Sequence, residues 1–350
     1  MSDQTGAREV VPTLRDVAKQ AGVSTPIASR VLNDDPDVRV RDDTRARILE
    51  VAATLGYMPN GVARSLRRSR SDAIGLVMHN LTSPMNTTVL EGVRGRCASA
   101  GYVTLLADSE QLAADSSHLR SFLSRGRLDG VILHVGHGYH EQLIADVSRH
   151  VPAVLVNSDG SGSVPTARLD DVAAGRTATE HLIGLGHSDI CFVGGPKEAI
   201  TSLGRQRGYE EVLREAHPAA RIDVVSAGWT DEMGAEAARR ILSRPRLPTA
   251  IVVANAVTAA GVLTALRQAG ISVPNEVSVV GIHDAWFANH LAVSLTTVRL
   301  PLFELGAMAA DLLLGTLAGE PTPANALIVD PPPILVIRES TAPPRAASLS

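Results

Sequence analysis

From Ala73 onward, short uninterrupted apolar runs alternate with amphipathic helical patterns, and nothing else in this 350-residue sequence constrains the fold as strongly. The runs are AIGLVM (from Ala73), YVTLLA (Tyr102), GVILHV (Gly130), AVLVN (Ala153), ICFVGG (Ile190), RIDVV (Arg221), AIVVAN (Ala250) and VSVVGI (Val277). Helical spacing recurs around 87–99, 113–125, 140–149, 173–185, 204–216, 233–244, 257–269 and 303–317. A strand without polar alternation must be covered on both faces, which is the mark of parallel sheets carried by crossover helices. One sheet holding all these strands would be wide, so two doubly wound sheets with a cleft between them are expected. TTVR (Thr296) reads as a further strand, and the proline-broken LIVDPPPILVIRES as an edge or crossover strand. Residues 1–11 and the Ala/Pro/Ser tail at 341–350 read as disordered.

Residues 12–58 follow a different grammar, helical throughout. Leu14, Val17, Ala18 and Ala21 have helical spacing, and Gly22 interrupts them with a residue able to take the left-handed turn conformation. A second helix opens at Ser24, a favourable N-cap, with Pro26 in its first turn, where a missing N–H breaks no bond. Ala28, Val31 and Leu32 form its buried face. A third helix, about Asp43 to Leu55, carries Ile48, Val51, Ala52 and Leu55 on one side. Helix, glycine turn, helix is the pattern of a helix-turn-helix, whose second helix lies in the major groove. Thr25, Pro26, Ser29 and Arg30 would share its outer face. Arg30 suits a bidentate bond to guanine, and Ser24, Ser29 and Asn33 suit phosphate. By spacing alone, an ordinary surface helical corner with a capping serine would look the same.

Charge distribution supports the first reading. The chain carries a net charge of −4, yet residues 1–70 hold twelve Lys/Arg against nine Asp/Glu, and Arg64, Arg67, Arg68 and Arg70 fall within seven residues. Two isolated cysteines, no apolar leader and no apolar segment approaching 18 residues imply a reducing cytosol and neither secretion nor a membrane. No P-loop, G-x-G-x-x-G fingerprint or G-x-S-x-G elbow is present, so a nucleotide-using enzyme is disfavoured, and no cofactor is expected. HVGHGYH places His134, His137 and His140 at three-residue steps, but only Glu141 adjoins them. A solvated loop at a cleft edge is the expected reading, and no metal site.

TLRDVAKQAGVSTPIASRVLN, followed by TRARILEVAATLGYMPNGVARSL, resembles the DNA-binding headpiece of the LacI/GalR family. The resemblance continues through EHLIGLGHSDICFVGG, RQRGYEEVL, PTAIVVAN, VPNEVSVVGIHD, LTTVRLP and LAGEP, covering about residues 12–340. It implies a helix-turn-helix domain at 12–58, a hinge at 59–71 and an effector-binding and dimerisation core at 72–340, like the periplasmic sugar-binding proteins. Lobe 1 would take about 72–169 and 300–326, and lobe 2 about 170–299 and 327–340. The hinge is too short to be a stable helix alone, and Gly61 weakens it further. In the family, the leucine matching Leu66 wedges into the minor groove beside the alanine matching Ala63. Thr13, Leu14, Tyr57, Asn60 and Arg67 complete the expected DNA-contacting set. Arg67→Ala should weaken all DNA alike. The family often has a hydrogen-bonding residue where this chain has Pro26. Ile27 replaces a threonine that commonly contacts phosphate.

The same resemblance implies an effector between the lobes, at positions matching Ser83, Pro84, Asn157, Arg205, Trp229, Asn255 and His283. Arg205 suits vicinal hydroxyls or a carboxylate, and Trp229 a flat ring. Leu300 and Leu302 add apolar wall. Sugar-responsive members often carry aspartate where Asn157 and His283 stand, so a less polar sugar derivative, a nucleoside and an aromatic metabolite all remain open. The implied protein is a cytoplasmic homodimer on double-stranded operator DNA, a repressor relieved by its effector. The alternative is a soluble receptor built on the same core. Leu66→Ala should remove operator binding, whereas Arg205→Ala should keep it and abolish the response.

Overall fold

Apolar side chains at helical spacing draw three short helices together at the N-terminus: α1 (Leu14–Gln20), α2 (Thr25–Leu32) and α3 (Asp42–Leu55). Val17, Ala18, Ala21, Ala28, Val31, Ile48 and Ala52 form their buried core. Gly22 takes φ +65° between α1 and α2, so the turn has the left-handed residue it requires. The Arg47 Nε–H from α3 donates to the Ala21 carbonyl at 3.0 Å and braces that turn. Ser24 occupies the N-cap of α2 without a side-chain capping bond. The computed structural model describes residues 12–35, 37–58, 70–124, 126–135, 141–158 and 164–345. The chain divides into two compact units, 1–71 and 72–350. Hinge residues Asn60, Ala63, Leu66 and Arg67, and residues 1–11, lie outside the described residues.

The second unit is α/β and holds two six-stranded sheets. The first comprises β1 (Ala73–Met78), β2 (Val103–Asp108), β3 (Gly130–His134), β4 (Ala153–Val156), β5 (Thr166–Leu169) and β11 (Asn325–Ile328), in the order β11-β5-β4-β3-β1-β2. Every pairing in it is parallel. The second comprises β6 (Ile190–Gly194), β7 (Asp223–Ser226), β8 (Ala250–Val253), β9 (Ser278–Ile282), β10 (Thr296–Arg299) and β12 (Ile334–Val336), in the order β12-β10-β9-β8-β6-β7. Only β12 runs antiparallel. Strands β1, β4, β6, β8 and β9 are buried along their whole length, as their uninterrupted apolar sequences require. The edge strand β2 differs: Val103, Leu105 and Leu106 are exposed.

The connecting helices are α4 (Pro84–Ser99), α5 (Ser109–Ala114), α6 (Ser116–Phe122), α7 (Glu141–Ser148), α8 (Asp171–Gly184), α9 (Ile200–Ala216), α10 (Asp231–Leu242), α11 (Ala256–Gln268) and α12 (Leu302–Ala318). Helices α5 and α6 replace the single helix expected at 113–125. Asp115 is extended between them, and its carboxylate accepts the Ser117 N–H, ending one helix and capping the next. The chain crosses between lobes after β5, after β10 and after β11. The third crossing is the proline-broken segment, which supplies an edge strand to each sheet. Three helix pairs touch through reciprocal glycines: Gly92 with Gly306, Gly175 with Gly208, and Gly234 with Gly261. A Cβ on any of the six would lie about 2 Å from a backbone oxygen of the facing helix.

The expectation of a disordered tail at 341–350 does not hold for its first residues, Thr341 and Ala342. Ser340 is fully buried, with its hydroxyl donating to the Val279 carbonyl and accepting the Thr296 N–H. The Ala342 carbonyl accepts from the Ser278 hydroxyl and lies 2.9 Å from His187 Nε2. Short polar side chains on lobe 2 capture this backbone, a long-range pairing that composition does not reveal. Residues 346–350 lie outside the described residues.

Candidate functional site

A cleft of about 350 Å³ opens where the carboxyl ends of the two sheets face each other. Each sheet reverses its strand order between its first two central strands, β1/β3 in one and β6/β8 in the other. Ligands of open parallel sheets bind at such switch points, outside the carboxyl ends of the strands. His79 follows β1, His134 ends β3, and Asn255 follows β8. All seven positions expected from the sequence line this cleft: Ser83, Pro84, Asn157, Arg205, Trp229, Asn255 and His283. Leu302 joins them. Leu300 does not; it is buried in the core instead.

Arg205 reaches the cleft from α9 already tied down. Its Nε–H donates to Asp171 at 2.8 Å, its Nη1 to the Ala254 carbonyl at 2.6 Å, and its Nη2 lies 3.3 Å from His283 Nε2. The ion pair is buried, and burial pushes the Asp171 carboxyl upward against the pull of Arg205. The expected free fork for a ligand is therefore a structural post with two N–H groups left over. Asp171 escaped notice because it lies 34 residues away on another helix.

The other cleft residues are held by backbone bonds. Asn255 caps α11, its Oδ1 accepting the Thr258 N–H at 2.7 Å. Asn157 Oδ1 accepts the Leu169 N–H at 3.2 Å. The indole of Trp229 lies over Gly195, where a Cβ would come within 2.4 Å of the ring. Asn80, Asn157 and His283 all have positive φ, an unfavourable backbone state for non-glycine residues that concentrates at functional sites.

His134 ends β3, as the run GVILHV implies, but in place of the solvated setting expected of HVGHGYH its Nδ1 is sealed and without a partner. His137 and His140 lie outside the described residues. His79, also missed, packs edge-on against His134 at 5.3 Å and bonds its carbonyl through Nδ1. The signal available was positional: both histidines stand at carboxyl ends of strands flanking a switch point. Burial, and secondarily His79, lowers the His134 pKa to about 3, and burial also holds His283 neutral, helped by Arg205. An unfolded histidine titrates near 6.5. Between those values the unfolded chain binds the extra proton, so stability is complete above about pH 6.5 and falls as pH drops toward 3. The slope is at most ~1.4 kcal/mol per pH unit for each such group. Denaturant unfolding of His134→Gln should show a shallower loss than the parent between about pH 6.5 and 5. An unchanged slope would refute this assignment.

In the N-terminal unit, α2 turns Pro26, Ile27 and Arg30 outward, with Thr25 and Ser29 half-exposed. Asn33 is partly occupied, since its Nδ2 donates to the Ser29 carbonyl at 2.6 Å and closes the C-terminus of α2. Thr13 caps α1, its N–H and hydroxyl both donating to Asp16. Leu14 and Tyr57 pack half-buried against the small core.

Known proteins share this arrangement. Residues 13–60 match the family described as bacterial regulatory proteins, lacI family, and residues 179–341 match a periplasmic binding protein-like domain. The HTH-type transcriptional repressor PurR of Edwardsiella ictaluri is 33% identical over 94% of this chain and 97% of its own length. Catabolite control protein A of Priestia megaterium is 30% identical over 94% and 99%. The lac repressor dimer bound to operator and the anti-inducer ONPF superposes with a TM-score of 0.80 at 26% identity, covering 95% of this chain and all of that one.

Proposed function

Because the chain belongs to the lacI family of bacterial regulatory proteins, we propose that α2 reads its operator and that a small molecule in the inter-lobe cleft controls that reading. The protein is a sequence-specific DNA-binding transcriptional repressor that works as a homodimer. One observation carries the two-site reading: the same chain presents on α2 an outward face with Arg30 beside Pro26 and Ile27, and a cleft with buried polar groups at two switch points. A receptor that only bound ligand would have no use for the first.

Two headpieces are needed because one such module buries only about 600–1,000 Å² on DNA. The exposed apolar edge of β2, with Val103, Leu105 and Leu106, is a surface suited to a second copy. Base reading falls to Thr25 and Arg30, with Pro26 offering apolar contact alone; Ser24, Ser29 and the hinge arginines serve phosphate. Gel retardation on genomic fragments, repeated with metabolite pools, tests the reading; no retarded fragment would defeat it. Arg30→Ala should lose discrimination at one base pair per half-site by roughly 1–3 kcal/mol. A uniform loss across sequences would instead place Arg30 on phosphate.

A further inference from the structure

Three segments of chain join the lobes, and all three are pinned at their lobe 2 ends by one run of polar contacts. The first crossover ends at α8, where the Asp171 carboxylate accepts the Arg205 Nε–H at 2.8 Å. The second leaves from Arg299 at the end of β10, and the third delivers β12, with Arg338 just beyond it. Asp284 holds both of these. Its Oδ2 accepts Arg299 Nε–H and Nη2–H at 3.0 and 2.6 Å. Its Oδ1 accepts Arg338 Nη2–H at 2.7 Å and the Thr297 hydroxyl at 2.8 Å. Arg338 Nη1 donates in addition to the Leu295 carbonyl and the Thr297 hydroxyl. His283, the neighbour of Asp284, closes the circuit. Its Nε2 lies 3.3 Å from Arg205 Nη2, and its backbone N–H donates to the Val298 carbonyl of β10 at 2.9 Å.

The dipeptide His283–Asp284 thus links the first crossover to the other two. His283 takes φ +75°, a strained state for a residue with a side chain, which persists only where its surroundings hold it. The Asp284 side chain is 7% exposed and that of Arg338 15%, so water screens this pair little, whereas Arg299 stands at the surface. Two-lobed proteins open and close by backbone rotation at a few residues of their connections. Three unconnected crossovers would each pivot separately and would let the lobes twist as well as close. We propose that Asp284 is the positioning residue of this joint. It binds the second and third crossovers into one body with lobe 2 and, through His283 and Arg205, the first as well, so that the lobes keep a single closing axis. A displacement of Arg205 or His283 at the cleft is then felt by the residue that holds the crossovers.

The joint exists whatever the cleft binds, and its test uses the free full-length protein without ligand or operator. Ser148 and Ala219 are exposed at the amino edges of the first and second sheets, so Ser148→Cys and Ala219→Cys place one nitroxide label on each lobe. Cys97 and Cys191 are buried and stay unlabelled. Diluting labelled chain in unlabelled chain keeps each distance within one protomer, and dipolar spectroscopy reads the distance distribution between the lobes. Asp284→Asn keeps the size but turns one accepting oxygen into an amino group, so it can hold only one of the two arginines. The distribution should become at least about twofold broader. Arg299→Gln frees the second crossover alone and leaves the buried pair with Arg338 intact. It should broaden the distribution less, and it carries the test if Asp284→Asn does not fold. Asp223→Asn is the control: it weakens another partly buried pair, with Arg244, at the opposite edge of the second sheet, and should keep the parental width. A folded Asp284→Asn of parental width, an Arg299→Gln of parental width, or an Asp223→Asn broadened as much as Asp284→Asn would each overturn the proposal. No readout here involves DNA, so failure of the regulatory reading leaves the result unchanged.

Discussion

Arg205→Ala is expected to destabilise the core by about 3–5 kcal/mol, the usual cost of removing one partner from a buried ion pair. The substitution strands the Asp171 carboxylate, whose side chain is only 10% exposed. It also deprives the Ala254 carbonyl and His283 Nε2 of their donor. These groups come from α8, the loop after β8 and the loop after β9, so Arg205 ties three segments of lobe 2 together. The sequence-based expectation of an intact, merely unresponsive repressor is thereby replaced by one of a weakened lobe. Denaturant unfolding of Arg205→Ala, Asp171→Ala and the double variant would measure it. The double variant should lose less than the sum of the singles, because it no longer buries an unpaired charge. A single-variant loss below about 1 kcal/mol, the level of an exposed pair, would refute the structural role.

Gly208→Ala should cost more than the ~1–3 kcal/mol typical of overpacking. The added Cβ would lie 2.2 Å from the Val172 carbonyl oxygen and 2.7 Å from the Arg176 nitrogen, both backbone atoms that no rotamer change can move. Helices α8 and α9 would have to separate, and those two helices carry Asp171 and Arg205. Effector binding should therefore fall together with stability. Gly95→Ala provides the opposite sign in the same fold. Gly95 lies inside α4 with open space where its Cβ would stand, so alanine there should stabilise by about 0.5–1 kcal/mol through helix propensity alone. Equal thermal shifts in the two variants would mean that the close approach of α8 and α9 does not limit packing.

Much of this protein is legible in the linear sequence because its signals are local. Uninterrupted apolar runs dictate strands covered on both faces, whatever surrounds them, and helical spacing between them dictates crossovers. Gly22, followed by Ser24 and Pro26, sets the turn and opening of α2 through backbone conformation, which needs no distant partner. The seven cleft positions were implied by the family resemblance and by no local pattern; Arg205 among them stands inside α9, far from any strand end. Strand β5 (TARL) was missed because four residues with an arginine among them carry too little pattern; pairing with β4 and β11 decides it. The tail from Ser340 to Ala342 is ordered by hydroxyls and a histidine contributed by other elements. What each cleft residue can offer a ligand was likewise decided only in three dimensions. A guanidinium, an imidazole and two amides look equally free in a sequence, but a hydrogen bond to a residue far along the chain removes one donor or acceptor and fixes which one remains.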